Sequence, residues 1–148
     1  MPKVTLSAST TINAKPDVVF AYVADLTKHG EWSANQLSIE AVSTSPAIIG
    51  NQYRSTAVVR GITFLSELRV TDYQAPVLFG FAGQDQTGIF LHRFTFTPSN
   101  NGTRVVRQIE FTLSLTEWFS FLLLYFPVRR PALNKSLLLL KQRLERIE

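Results

Sequence analysis

Between one alternating strand and a long run of others, the chain inserts Lys15-Pro16-Asp17-Val18-Val19-Phe20-Ala21-Tyr22-Val23-Ala24-Asp25-Leu26, which runs on to Glu31-Trp32. Pro16 suits the first helical position, where its missing N–H would find no partner in any case. Asp17 falls in the first turn, where the helix dipole favours negative charge. Val19, Phe20, Val23 and Leu26 recur at helical spacing and predict a helix over Pro16–Asp25 with one apolar stripe. Thr27 to Trp32 predicts a short helical turn broken at Gly30. A chain that opens strand, helix, short helix and only then turns to strands has few architectures open to it.

Before this segment, Val4, Leu6, Ala8, Thr10 and Ile12 alternate with mostly polar residues, as a half-buried strand does. After it, a strand is expected over Leu37–Ser43, then a loop containing Pro46 and Gly50. Gln52–Val59 and Ile62–Tyr73 follow, joined by a tight turn at Arg60-Gly61. Pairing Val59 with Ile62 sets Ala57 against Phe64, Ser55 against Ser66 and Tyr53 against Leu68. All of these share one face, because side chains alternate along a strand. The other face carries Arg54, Glu67 and Arg69, so the first looks inward. Past Pro76, Val77–Ala82 predicts a strand with Phe79 and Phe81 on one side. Gly88–Thr97 aligns Phe90, His92, Phe94 and Phe96, and Ser99-Asn100-Asn101-Gly102 is a turn. Folding Thr103–Leu113 back about that turn puts Phe94 opposite Arg107 and His92 opposite Ile109.

The last third reads as helix. Trp118 to Phe126 is apolar nearly all round, and Pro127 and Pro131 are expected to break or kink it. From Pro131 to Ile147, Leu133, Leu137, Leu140, Leu144 and Ile147 recur at spacings of four and three, an amphipathic helix laid on a sheet. At 148 residues the chain fits a single domain spanning 1–148. No run approaches the roughly 18 apolar residues a membrane-spanning helix needs, and the first residues alternate like a strand rather than a signal core. A cytoplasmic protein is expected. The absence of cysteine excludes disulfides, cysteine nucleophiles and cysteine metal sites. Two histidines, His29 and His92, cannot supply a three-His metal site, and there is no Gly-rich phosphate loop or nucleophile elbow. No cofactor, metal or catalytic residue is assigned, and the reading leans away from an enzyme.

The net charge of +4 is local. Arg129, Arg130, Lys135, Lys141, Arg143 and Arg146 crowd the C-terminal helix, opposed there by Glu145 and Glu148. A solvated outer helix face accounts for this, with attraction to anionic lipid as the alternative. Nucleic acid is not expected, since no aromatic and basic strand motif accompanies the charge.

The element order resembles the START-like superfamily of helix-grip proteins, whose bacterial members are called polyketide cyclase/dehydrase-like or SRPBCC proteins and which includes Bet v 1-like proteins. The resemblance covers nearly the whole chain. It is carried by Ile12-Asn13-Ala14-Lys15-Pro16-Asp17-Val18-Val19-Phe20, the Asp25 to Trp32 spacing, and Gly50 before the third strand. Val70-Thr71-Asp72 leading to Pro76, Pro98 with Gly102-Thr103-Arg104-Val105, and Leu140-Lys141-Gln142-Arg143-Leu144-Glu145 complete it. It implies an α+β fold, a seven-stranded antiparallel sheet curled around the C-terminal helix with an apolar cavity between them. Pro127 and Pro131 depart from the less broken helix of many relatives. The fold hosts carriers, receptors, cyclases and co-chaperones, so the activity must be argued from the site.

Candidate ligand-binding residues follow from the inward face: Trp32, Tyr53, Ser55, Phe64, Ser66, Phe79, Phe81, Phe90, His92, Phe94 and Arg107, joined by Trp118, Leu122 and Tyr125 from the apolar block. Any single aromatic here is accounted for by core packing. As a set beside the small Ser55, Ala57 and Ser66, they describe either close packing against a helix or a pocket with few polar groups. His92 and Arg107 are the strongly polar residues expected to point inward from the central strands. A buried Arg107 needs a carboxylate, carbonyls, water or an anionic ligand. A one-residue slip in register would turn both outward. The expected function is binding or transport of a hydrophobic small molecule such as a lipid or polyketide, oriented by Arg107 and His92. Two alternatives stand beside it. One is a cyclase- or isomerase-like enzyme using His92 and Arg107 in the same cavity. The other is a peripheral membrane or protein-docking module using Trp118–Arg130, with transient contact at a membrane surface.

Overall fold

The computed structural model describes residues 3–86, 88–112 and 126–147. Its strands are β1 (Lys3–Ile12), β2 (Gln36–Ser43), β3 (Gln52–Val59), β4 (Ile62–Gln74), β5 (Leu78–Asp85), β6 (Gly88–Ser99) and β7 (Gly102–Thr112). Helix α1 (Pro16–Val23) and a 3-10 helix (Leu26–Glu31) lie between β1 and β2, and α2 (Phe126–Ile147) follows the sheet. The strands form one antiparallel sheet in the order β1-β7-β6-β5-β4-β3-β2. This is the helix-grip architecture that the element order implied.

Both expected registers are present. Ser55 pairs with Ser66, Ala57 with Phe64 and Tyr53 with Leu68, while Phe94 pairs with Arg107 and His92 with Ile109. The hairpin turns set these pairings, and burial then fixes the inner face. On β4, Phe64, Ser66, Leu68 and Val70 are buried, whereas Leu65, Glu67 and Arg69 face solvent.

Helix α1 stops at Val23, short of the expected Asp25, and the Ala24 N–H closes it by donating to the Phe20 carbonyl at 2.8 Å. Asp25 is extended and caps the 3-10 helix by accepting from the Thr27 N–H. That helix runs through Gly30 to Glu31, so Gly30 does not break it. Glycine is needed there for a different reason: a Cβ would stand 2.3 Å from the Leu37 carbonyl oxygen of β2. In a 3-10 helix residues three apart lie above one another, which turns Leu26, His29 and Trp32 inward together. All three are buried.

Helix α2 also corrects an expectation. The described part runs over Phe126–Ile147 and continues through Pro131, so Pro131 does not break it. The bond that Pro131 forgoes would go to the Pro127 carbonyl. Leu133, Leu137, Leu140 and Leu144 form its buried stripe. The Lys141 Nζ donates to the Thr11 carbonyl at 2.7 Å. Arg143 pairs with Glu31 at 3.1 Å, and the Tyr22 hydroxyl donates to the same carboxylate at 2.7 Å. Among the described residues, no helix is long and apolar enough to cross a membrane.

The β6–β7 turn docks on the β1–α1 junction, where the buried Thr103 hydroxyl donates to the Ala14 carbonyl at 2.8 Å. Thr103→Val keeps the shape and deletes the donor. We expect it to cost about 1–2 kcal/mol in urea unfolding. A loss below about 0.5 kcal/mol would mean that the carbonyl finds another donor.

Candidate functional site

The concave face of the sheet, the 3-10 helix and α2 line a cavity of about 160 Å³. Ser55 and Ala57 of β3, Phe64, Ser66 and Leu68 of β4, and Phe81 of β5 line one side. Phe90 and His92 of β6 with Arg107, Ile109 and Phe111 of β7 line the other. His29 and Trp32 from the 3-10 helix and its cap, and Leu133 and Ser136 from α2, complete the wall. The Ser136 hydroxyl accepts from the Ala34 N–H at 3.1 Å, tying α2 to the segment after Trp32.

Arg107 is the charged centre of this wall. Its guanidinium carbon lies 5.4 Å from the Trp32 ring centroid and 5.1 Å from that of Phe94, so two aromatic faces hold it by cation–π attraction. Its Nη2 stands 3.1 Å from His92 Nδ1. A guanidinium can only donate, so His92 Nδ1 accepts and the imidazole proton sits on Nε2. Stacking on Phe81 at 4.6 Å and edge contact with Phe90 at 5.4 Å fix the ring plane. The result is a rigid pair of hydrogen-bond donors set among aromatic side chains.

His29 is a different kind of group. Its Nε2–H donates to the Val23 carbonyl at 2.7 Å, and its ring lies 4.7 Å from Trp32. Burial drives its pKa from 6.5 down to about 3; the Val23 hydrogen bond opposes this and the Arg107 charge adds to it. His29 is therefore a neutral histidine in the folded protein. Trp32 is 1% exposed, and its Nε1 has no hydrogen-bond partner among the described residues.

Residues 3–145 match the family described as polyketide cyclase / dehydrase and lipid transport. The chain belongs to that family. Solved structures agree on the fold. A Thermus thermophilus protein, TTHA0849, superposes with a TM-score of 0.75 at 21% identity, covering 99% of each chain. Ms6760 from Mycobacterium smegmatis gives 0.69 at 17% identity, over 97% of this chain and 92% of that one. Ara h 8.0201 gives 0.62 at 16% identity, over 76% and 79% respectively. No curated protein sequence matches significantly.

Within this polyketide cyclase/dehydrase and lipid transport fold, eight of the expected site residues, Trp32, Ser55, Phe64, Ser66, Phe81, Phe90, His92 and Arg107, meet on the cavity wall. Phe79 and Phe94 are fully buried in the core cluster behind it. Tyr53 packs at the edge of that cluster and borders a separate groove with Arg54 and Arg69. Trp118, Leu122 and Tyr125, with the rest of the Trp118–Arg130 docking block up to Tyr125, lie outside the described residues. Sequence reasoning missed His29, Asp85, Leu133 and Ser136. The three-residue step from Trp32 was the signal for His29, and Ser136 is the small polar residue set in the leucine stripe.

Proposed function

We propose that this family member binds a small hydrophobic molecule bearing an acidic or carbonyl head group, held between the sheet and α2. The Arg107–His92 contact inside an aromatic-walled cavity carries the reading. Both groups offer donors, and donors select an acceptor on the ligand. The apolar remainder contributes by burial, at roughly 25 cal/mol per Å². The cavity volume of about 160 Å³ favours a short chain or a single ring, because drug-sized ligands occupy roughly 300 Å³ or more.

Native mass spectrometry of protein purified without additives tests occupancy directly. Binding of octanoate and of octanol then separates head group from body. Arg107→Gln is expected to weaken octanoate about ten- to a hundredfold, the worth of a charge-assisted hydrogen bond, and to leave octanol within about twofold. Equal losses for both probes, or a protein that never carries or takes up a ligand, would count against the proposal.

The same pair supports a second reading as a cyclase- or isomerase-like catalyst, because the two groups stand within hydrogen-bonding distance at one cavity. His92 Nε2–H would then donate a hydrogen bond to a carbonyl or enolate oxygen that Arg107 polarises. Deuterium exchange at carbons adjacent to a bound ketone would distinguish catalysis from carriage.

A further inference from the structure

We propose that the cavity has a second polar anchor, the paired hydroxyls of Ser55 and Ser66, and that its ligand is an acid carrying a hydroxyl at the far end of an apolar body. The inference rests on the binding function proposed above and specifies its ligand.

Ser55 and Ser66 face each other across β3 and β4 in register. They are 5% and 7% exposed, and both line the cavity. Neither hydroxyl bonds to another described residue, and neither oxygen is sealed off from the cavity. Each hydroxyl therefore opens on the cavity, where a ligand can supply its partner.

Their position separates them from the Arg107–His92 end. Val70, Phe81 and His92 lie in one row across β4, β5 and β6. Ser66 stands four residues further along β4, about 13 Å at 3.3 Å per residue, and two strands away from His92 across the sheet. Leu68 and Phe90 occupy the row between. The wall thus runs from a polar end over an apolar middle to a second polar end. A ligand that reaches both ends therefore carries an apolar body between its two polar groups.

The two ends also differ in chemistry. Arg107 and His92 Nε2–H only donate. At the other end, serine hydroxyls both donate and accept. A carboxylate belongs at the first end and a hydroxyl at the second, so the ligand has one orientation.

Calorimetric titration with octanoate and ω-hydroxyoctanoate tests this. Wild-type protein is expected to bind the hydroxylated acid about tenfold more tightly, the worth of one net hydrogen bond. The Ser55→Ala, Ser66→Ala double variant is expected to bind the two acids alike. If wild-type protein binds the two acids equally, water or packing serves the hydroxyls and this inference falls, while octanoate binding itself keeps the proposed function. If neither acid binds, both fall.

Discussion

Between pH 6.5 and 3, one side chain is expected to cost this protein up to about 1.4 kcal/mol of stability per pH unit. His29 has a folded pKa of about 3 against an ordinary 6.5. Within that window the unfolded chain takes up a proton that the folded chain refuses. The contribution is fully present above pH 6.5 and disappears as the pH falls towards 3, in total roughly 4–5 kcal/mol. Burial is the cause, so the slope belongs to the site and not to the net charge. His29→Gln keeps a donor for the Val23 carbonyl and cannot titrate. Urea unfolding at several pH values from 7 to 4 should therefore show a flatter profile for the variant. Parallel profiles would mean that other groups, the carboxylates included, carry the acid sensitivity.

Gly102→Ala is expected to destabilise the fold by about 3 kcal/mol or more. Gly102 has φ of +133°, a conformation that side chains rarely adopt. A Cβ there would lie 2.1 Å from the Ile12 carbonyl oxygen and 2.9 Å from the Ala14 nitrogen. Both obstacles are backbone, so neither can swing aside as a side-chain tip could. The substitution must pry the β6–β7 turn off the β1–α1 junction and strain the Thr103–Ala14 hydrogen bond with it. Thermal unfolding checks this, and Gly61→Ala serves as a comparison. Gly61 also has positive φ, but open space surrounds its missing Cβ. Equal losses at the two glycines would assign the effect to φ alone.

The strands were readable because their turns are chemically explicit. Arg60-Gly61 and Asn101-Gly102 fix two hairpins, and from them the inward placement of Ser66, His92 and Arg107 follows by alternation. Which inward residues border open space was not readable, because helix packing decides it. Phe79 and Phe94 share the face of His92 and Arg107. They lie at the end of the sheet that α1 and the 3-10 helix cover, and are sealed in the core with Phe20 and Trp32. His29 was hidden for a related reason. Six residues of 3-10 helix carry too little periodicity to show a face until one neighbour, Trp32, is known to point inward. Pro131 misled in the opposite direction. It forgoes one helix hydrogen bond, but the leucine stripe from Leu133 to Leu144 packs on the sheet and the helix runs through it.

The pairing of β1 with β7 has a consequence for how the chain reaches this state. Lys3–Ile12 is the first of the described strands in chain order, yet its partner is the last of them: Ile12 pairs with Thr103, and Lys3 with Thr112. The β2–β7 hairpins can form locally as they emerge, but closure of the first strand is the most distant contact in the sheet. Distant contacts slow folding because loop entropy is spent before they form. During synthesis the apolar side of β1, with Val4, Leu6 and Ile12, has no partner strand, while an unpaired strand edge invites pairing with another chain. Of the described strands, β1 is thus the one left longest without its partner, and its closure joins the two ends of the sheet sequence.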